Sequence, residues 1–363
     1  PAFHAWASRP HRLSCRSAMD GGTAEPAPPL SDAPAVALGT TGLRVSPMGF
    51  GCMGITAFYG PHLPDEDALE LLRGVHGLGY THFDTAEAYK SRKGEQHNEE
   101  ILGRFLQTLP KGSYTVATKY MPSLHGGKCD FETVNAAVDA SLQRLGLERV
   151  DVYYCHRMPE TEELLREWML AMRDVVGSGK VGHVGLSEVS PRWLRSAHEV
   201  SPVACVQQEW SLLSRGIEDS LVHTCRELGI GVVAYSPLAR SLLCDPPEPP
   251  KDWRAGAVPR FSEENWRQNK EVAARIAALA DAKGATPAQL SLAWLYSHAR
   301  TSGVTMVAIP GSTKLLHAAD NATALRLAVT EAEHRELLHL GAQVAGARGK
   351  EAYLKEAMEG QME

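Results

Sequence analysis

Residues 114–120 read YTVATKY, residues 131–145 read FETVNAAVDASLQRL, and residues 150–156 read VDVYYCH. The first and third stretches are short and apolar, which is typical of strands buried on both faces of a parallel sheet. The stretch between them has a helical pattern. A strand, a helix and a second strand in this order predict a βαβ unit, with polar side chains at the strand ends, Lys119 and His156.

The same alternation of strand-like and helical segments runs through most of the chain. Strands are predicted near residues 48–55, 81–86, 114–120, 150–156, 181–187, 204–210, 230–236 and 304–310. Helices are predicted near residues 65–78, 95–108, 131–145, 161–177, 191–199, 218–228, 267–300 with a break, and 314–324. Such βα units, closing on themselves, predict the α/β class and a (β/α)8 (TIM) barrel, with extra helices late in the chain. An open doubly wound sheet is the alternative, but GFGCMG at residues 49–54 lacks the spacing of a dinucleotide fingerprint.

The segment that leads into the barrel reads VALGTTGLRVSPMGFG over residues 36–51. Its two short alternating stretches lie on either side of Gly39 to Gly42, which predicts a β-hairpin that plugs the bottom of the barrel. We therefore expect a barrel domain over residues 35–345, preceded by a leader and linker at residues 1–34 and followed by a C-terminal tail at residues 346–363.

The leader differs in composition from the rest of the chain. It contains Arg9, Arg12 and Arg16 but no acidic residue before Asp20. Such a leader resembles an organelle transit peptide, and an unstructured tail is the alternative. Residues 21–34, GGTAEPAPPLSDAP, are expected to be a flexible linker. The expected location is the cytoplasm or an organelle, of which the leader favours the chloroplast.

The overall composition is that of a globular protein. The 363 residues are 44% hydrophobic and carry a formal net charge of -6. Because the 37 basic residues are scattered, we expect neither a nucleic-acid nor a membrane partner. The 7 cysteines form no C-x-x-C pair, which argues against a zinc site. No metal is therefore expected, and the oligomeric state is left open.

Four polar residues are predicted to meet at the carboxyl ends of the strands, where barrels of this class carry function: Asp84, Tyr89, Lys119 and His156. A free phenol is a poor acid at neutral pH, because its pKa is about 10. We expect Lys119 to lower the pKa of Tyr89 and Asp84 to hold the ammonium charged and oriented. His156 would then orient a substrate oxygen by a hydrogen bond.

A family resemblance is carried by motifs in a fixed order: HFDTAEAY (82–89), VATKY (116–120), DVYYCHR (151–157), VGLSE (184–188), VQQEWSLLSR (206–215), VAYSPL (233–238) and AIPGSTK (308–314). Together they resemble the aldo-keto reductase superfamily, over about residues 36–340. The opening LGTTGLRVSPMGFGCMG and the HR after the fourth strand resemble its perakine-reductase-like and pyridoxal-reductase-like branch. The resemblance implies NADPH-dependent reduction of an aldehyde or ketone substrate to an alcohol. It assigns Tyr89 as proton donor, Lys119 and Asp84 as the residues that tune it, and His156 as the residue that orients the carbonyl.

The resemblance also assigns cofactor contacts. Positions that bind the nicotinamide carboxamide or stack on its ring match Ser187, Gln207 and Tyr235. Positions at the pyrophosphate and on the same floor match Ser236, Leu238, Arg240, Gly51, Cys52 and Met53. Positions at the 2'-phosphate and the adenine match Gly311, Ser312, Thr313, Lys314, Asp320 and Asn321.

Two departures from the family pattern bear on the cofactor. Glu188 stands where many members have an asparagine, so the carboxamide contact there is altered or Glu188 accepts the amide proton. His317 stands where many relatives carry an arginine, which leaves Lys314 as the main cation for the 2'-phosphate. On the substrate side, Phe58 and Tyr59 face a long loop at residues 239–266. Its aromatic residues either line an apolar pocket or only pack the loop down.

Two other functions are compatible with parts of the pattern. One is a nicotinamide-binding regulatory subunit that senses redox state without significant turnover. The other is a barrel isomerase that uses His and Lys on phosphate substrates, which does not explain Tyr89, Gln207 or Tyr235.

Overall fold

A computed structural model describes residues 30, 33–60, 62–91, 94 and 96–356. The leader and most of the linker therefore lie outside the described residues. Within them, a hairpin is followed by eight strands. The strands are β1 Val36–Ala37, β2 Arg44–Val45, β3 Phe50–Gly51, β4 His82–Asp84, β5 Thr115–Tyr120, β6 Val150–Cys155, β7 Val181–Ser187, β8 Val203–Glu209, β9 Gly231–Tyr235 and β10 Met306–Ala308.

Helices alternate with these strands and form the outer layer. They are α1 Met53–Thr56, α2 Asp65–Gly77, α3 Asn98–Leu106, α4 Phe131–Leu145, α5 Glu162–Gly177, α6 Pro191–Val200, α7 Leu221–Leu228, α8 Trp253–Ala257, α9 Glu263–Ala282, α10 Pro287–Thr301, α11 Leu315–Thr323, α12 Glu331–Gly341 and α13 Glu351–Glu356. The predicted break in the long helical stretch is confirmed, because Thr286 caps α10 in a capping box with Gln289. None of these helices combines the length and apolar character that a bilayer span requires.

The eight strands β3 to β10 are parallel and paired in chain order. A parallel bridge between Met48 and Ala308 joins the first strand to the last and closes the sheet. The (β/α)8 barrel is thus confirmed. The first barrel strand, β3, is shorter than the predicted strand at residues 48–55. It ends at Gly51, because the backbone at Cys52 is helical and leads directly into α1.

The predicted hairpin is also confirmed, and it seals the barrel interior. Its strands β1 and β2 are antiparallel, and Leu38, Leu43 and Val45 pack among inward side chains of the barrel strands. Gly39 has a φ of +75°, and the backbone amide of Thr40 donates to Gly229 O over 2.8 Å. Burying a leucine such as Leu38 contributes about 1.5–3 kcal/mol.

One residue of the expected linker belongs to the folded core. Leu30 is buried against the outer helical layer, and its backbone amide donates to Leu78 O at the end of α2 over 3.2 Å. The expectation of a flexible linker is therefore wrong at Leu30, because an apolar side chain beside an exposed helix end gains by covering the core.

Candidate active site

The carboxyl ends of the strands bring the predicted residues to one end of the barrel. Asp84 is the last residue of β4, and Lys119 lies one residue before the end of β5. His156 follows β6 directly, and its backbone amide donates to Tyr120 O over 2.7 Å. Tyr89 lies in the loop after β4, where its backbone carbonyl accepts from the amide of Asn98 over 2.9 Å. The loop is thus tied to the start of α3.

Lys119 and Asp84 form a buried ion pair at the centre of this site. The ammonium of Lys119 is fully buried and donates to the Asp84 carboxylate and, over 2.7 Å, to Thr85 O. Burial opposes the charged amine, but Asp84 and Tyr89 outweigh it and raise the pKa of Lys119. Lys119 is therefore a fixed positive charge at neutral pH.

Tyr89 packs close to both this ammonium and His156. The Nζ of Lys119 is 5.0 Å from the centroid of the Tyr89 ring. Burial raises the pKa of the Tyr89 phenol, and Lys119 offsets only part of that rise. Lys119 acts in the expected direction, but the expectation that it brings the pKa of Tyr89 below the ordinary value is wrong, because desolvation is the larger effect. The phenol is protonated at neutral pH and can donate.

His156 is a neutral imidazole in this site. Burial, together with the positive charges of Arg157 and Lys119, lowers its pKa well below the usual value. Its buried Nδ1 has no hydrogen-bond partner among the described residues. A buried polar atom without a partner is rare, and this marks His156 as a candidate functional residue.

Gln207 and Ser187, predicted at the nicotinamide carboxamide, lie side by side in the register of β7 and β8. Gln207 Nε2 donates to the second carboxylate oxygen of Asp84 over 2.7 Å. Gln207 therefore also orients Asp84, a contact that sequence spacing did not suggest. The carboxamide role of both residues stays a prediction.

The partners of the Glu188 carboxylate are all groups of the protein itself. Its side chain is fully buried, and its carboxylate accepts from Tyr235 Oη over 2.6 Å and from Arg348 Nη2 over 2.7 Å. The backbone amide of Glu209 also donates to it, over 3.1 Å. The hydrogen bonds of the carboxylate thus go to Tyr235, Arg348 and the Glu209 backbone. That Glu188 accepts the amide proton of the nicotinamide carboxamide stays a prediction.

The residues predicted at the pyrophosphate lie on a strained loop after β9. Ser236 and Arg240 have φ values of +46° and +57°, in the left-handed region that non-glycine residues rarely adopt. Leu238 lies between them and is half-buried. Arg240 donates to Glu209 Oε2 over 3.1 Å, while its buried Nε has no partner among the described residues.

The opposite side of the predicted cofactor floor is formed by the ends of β3 and β10. A Cβ on Gly51 would lie 2.8 Å from Ile309 O, and one on Gly311 would also clash with Gly51, so both positions require glycine. Cys52 is buried and presents no side chain to a ligand, whereas Met53 is half-buried beside Tyr89. Cys52 can therefore contact a cofactor only through its backbone.

The predicted 2'-phosphate and adenine residues flank the start of α11. Ser312 Oγ accepts from the amide of Lys314 over 3.0 Å, and Lys314 is exposed at a helix start without a side-chain cap. Thr313 is half-buried beside them. Asp320 accepts from Thr286 and Gln289, each over 2.7 Å, and therefore holds α11 to α10. Asn321 is buried. Asp320 thus has a structural role in joining two helices. The predicted adenine contacts of Asp320 and Asn321 stay predictions.

The predicted substrate wall is assembled from two distant segments. Phe58 and Tyr59 meet Trp253 of α8 with ring centroids 5.9 and 5.8 Å apart, both edge to face. Phe58 remains 55% exposed despite this contact. An apolar wall therefore stands at the mouth of the barrel.

Sequence reasoning assigned no role to the C-terminal residues that reach this site. Arg348 enters the buried cluster around Glu188, and Tyr353 Oη lies 2.7 Å from Tyr235 Oη. Both fall in the predicted tail. Their signal in the sequence is weak, because one arginine and one tyrosine near a chain end have no characteristic spacing.

Comparison with known proteins agrees with this geometry. The aldo/keto reductase family matches residues 47–341. A Glycine max protein named probable aldo-keto reductase 1 is 39% identical over 324 residues, which cover 86% of this chain and 91% of that protein. A thermostable aldo-keto reductase solved with the inhibitor epalrestat is 29% identical and aligns with a TM-score of 0.68, over 84% of this chain and 99% of that one. An aldo-keto reductase from Klebsiella pneumoniae, solved with NADPH, is 25% identical with a TM-score of 0.67, over 86% of this chain and 96% of that one. The chain therefore belongs to the aldo/keto reductase family.

Proposed function

We propose that this protein reduces aldehydes or ketones to alcohols with NADPH, and that Tyr89 donates the proton. The observation that carries the proposal is the buried set of Tyr89, Lys119, Asp84 and His156 at the carboxyl ends of neighbouring strands. Family membership supports the reaction class.

Each of the four residues has a separate role in the proposed reaction. The neutral His156 orients the carbonyl oxygen, and the Tyr89 phenol gives its proton to that oxygen as negative charge develops there. Lys119 stabilises the phenolate that remains, and Asp84 holds the ammonium in place. NADPH, when bound, supplies the hydride.

The hydrogen-bond donors and positive charges at the mouth of the barrel suit NADPH. Arg240 has a buried, unpaired Nε at the loop that is predicted to contact the pyrophosphate. Lys314 and the uncapped start of α11 favour an anion such as a 2'-phosphate. Gly51 and Gly311 let the end of β3 and the segment after β10 approach each other closely on the predicted cofactor floor, because a Cβ at either position would clash with the other segment. Tyr235, Ser187 and Gln207 would hold the nicotinamide end.

The decisive experiment compares Tyr89→Phe with the unmodified protein for oxidation of NADPH by a panel of aromatic and aliphatic aldehydes. We expect turnover to fall by about 100-fold or more, because general acid catalysis contributes that much. Tryptophan fluorescence during titration with NADPH and with NADH measures binding independently. NADPH affinity should be nearly unchanged in the variant.

Tyr80→Phe is the matched control for proton transfer, because its hydroxyl is also buried but donates to Ala318 O in α11 and contacts none of the four proposed catalytic residues. This control should retain turnover. Full activity of Tyr89→Phe would refute the proton-donor role. Binding of NADPH by the unmodified protein without turnover of any aldehyde would instead support a nicotinamide-binding regulatory subunit.

A further inference from the structure

A buried charged cluster lies at the mouth of the barrel beside the catalytic residues. Glu188 and Glu209 are its acids, and Arg240 and Arg348 are its bases. All four side chains are at most 9% exposed. Arg348 Nη2 donates to Glu188 over 2.7 Å, and its Nη1 lies 3.3 Å from Glu209 Oε2.

The charge balance of this cluster depends on the C-terminal segment, residues 347–356. Arg240 comes from the barrel and faces Glu209. Arg348 comes from the segment and is the cation on Glu188. A buried carboxylate without a cation is strongly unfavourable, so the negative charge of Glu188 draws the segment onto the barrel.

The docked segment places Tyr353 at the mouth of the site. The Tyr353 hydroxyl lies 2.7 Å from Tyr235 Oη and 3.2 Å from Arg240 Nη2. Its ring is flanked by the guanidinium groups of Arg240 at 5.4 Å and of Arg157, the residue after His156, at 5.7 Å. Arg240 also lies 5.1 Å from the Trp253 ring. Tyr353 thereby connects the Trp253 wall to the loop that carries His156.

The path of the segment is specific. A Cβ on Gly349 would collide with the Tyr353 ring, so the turn between Arg348 and Tyr353 requires the smallest residue at this position. The segment is therefore shaped to bring one arginine and one tyrosine to the mouth together.

We propose that Glu188 and Arg348 are positioning residues that hold the C-terminal segment over the nicotinamide-binding end of the site, and that this segment opens each time the cofactor exchanges. The inference rests on the proposed function. Glu188 acts through Arg348 and Tyr235 and touches neither substrate nor cofactor. This accounts for an acid where many relatives carry an asparagine.

Opening is required because the docked segment covers the predicted path of the cofactor. Tyr353 bonds to Tyr235 and Arg240, the predicted contacts of the nicotinamide and the pyrophosphate, and so lies across both. The Nε of Arg240 has no partner among the described residues and can contact a phosphate while its Nη2 stays on Tyr353, so the segment can close over the bound cofactor. Release of the cofactor then includes the cost of separating Arg348 from Glu188.

The test measures cofactor exchange and segment opening in the full chain. Stopped-flow tryptophan fluorescence gives the rate of NADPH dissociation for Glu188→Gln, Arg348→Met, Arg348→Lys and Tyr353→Phe. Amide hydrogen exchange of residues 350–355, without cofactor, gives the opening of the segment itself. We expect about tenfold or faster dissociation and exchange in Arg348→Met, because a hydrogen bond to a charged group is lost. Arg348→Lys should restore part of the loss.

Arg144→Met is the matched control, because Arg144 pairs with the buried Glu99 over 2.6 Å on the outer helices. It should lower the melting temperature without changing NADPH dissociation. Tyr353→Phe keeps the ion pair between Glu188 and Arg348, so it replaces Arg348→Met if that variant does not fold. It should also accelerate NADPH dissociation.

Two results overturn the inference. One is an unchanged dissociation rate in Glu188→Gln, Arg348→Met and Tyr353→Phe. The other is unchanged amide exchange of residues 350–355 in Arg348→Met. Failure of the unmodified protein to bind NADPH at all would refute the proposed function instead, and the exchange measurement would still test whether Glu188 and Arg348 hold the segment.

Discussion

The rings of Tyr89 and His156 meet edge to face, with centroids 5.5 Å apart and planes at 82°. This contact brings the proposed proton donor and the proposed orienting group to one point in the barrel. The Nζ of Lys119 lies 5.0 Å from the centroid of the same phenol ring. In the proposed reaction the carbonyl oxygen accepts hydrogen bonds from both Tyr89 and His156.

The pH dependence of reduction follows from the protonation states of these two rings. Burial raises the pKa of Tyr89, so the phenol stays protonated throughout the neutral pH range. We expect kcat/KM for reduction to be level up to about pH 9 and to fall only above the ordinary tyrosine pKa of about 10. Oxidation of an alcohol needs the phenolate and should become faster as pH rises. Initial rates in both directions against pH give the measurement.

The same profile tests the state of His156. Because its pKa is lowered well below the ordinary value, no inflection near about pH 6.5 is expected. An inflection there that disappears in His156→Gln would contradict a neutral imidazole.

Asp84→Asn should affect both stability and turnover. The substitution keeps the shape but removes the charge that pairs with Lys119. Loss of one partner of a buried ion pair costs about 3–5 kcal/mol of unfolding free energy, measured by urea denaturation. Turnover should fall by about 100-fold, because the ammonium loses its charge and its position.

Asp139→Asn is the control for this effect. Asp139 pairs with Lys180 on the surface, where an ion pair contributes about 0–1 kcal/mol. Similar losses of stability in the two variants would show that the Asp84 pair has no special role.

The aromatic wall should set the preference for substrate shape. Trp253→Ala removes the ring that meets Phe58 and Tyr59. We expect KM for bulky aromatic aldehydes to rise by about tenfold, since several contacts of an aromatic ring are lost, while values for small aliphatic aldehydes change little. An equal rise for both classes would place Trp253 outside the substrate pocket.

The hairpin plug offers a test of fold stability that leaves the site untouched. Gly39 and Gly42 both have positive φ, but only a Cβ on Gly39 would meet backbone, 2.6 Å from Ala204 O. Gly42→Ala should cost about 1 kcal/mol for the left-handed backbone alone. Gly39→Ala should cost about 3 kcal/mol, because the clash adds to it. Equal melting temperatures would mean that the hairpin tip is not packed on the barrel.

The sequence by itself determined the barrel and the positions of three of the proposed catalytic residues. Alternation of strands and helices is a local pattern, and parallel strands place their carboxyl ends at one face, so Asp84, Lys119 and His156 were predictable from their positions alone. The tertiary structure decided the balance of effects at Tyr89. Its pKa depends on how completely the surrounding chain removes water, which no spacing of residues reports.

The tertiary structure alone also decided the role of Glu188. Its partner Arg348 lies 160 residues further along the chain. A contact between single residues that far apart leaves no periodic signal, and the pairing depends on a glycine turn and a short helix after the barrel is complete. Local patterns thus specify which elements form, whereas burial and long-range charge pairing specify how their side chains are used.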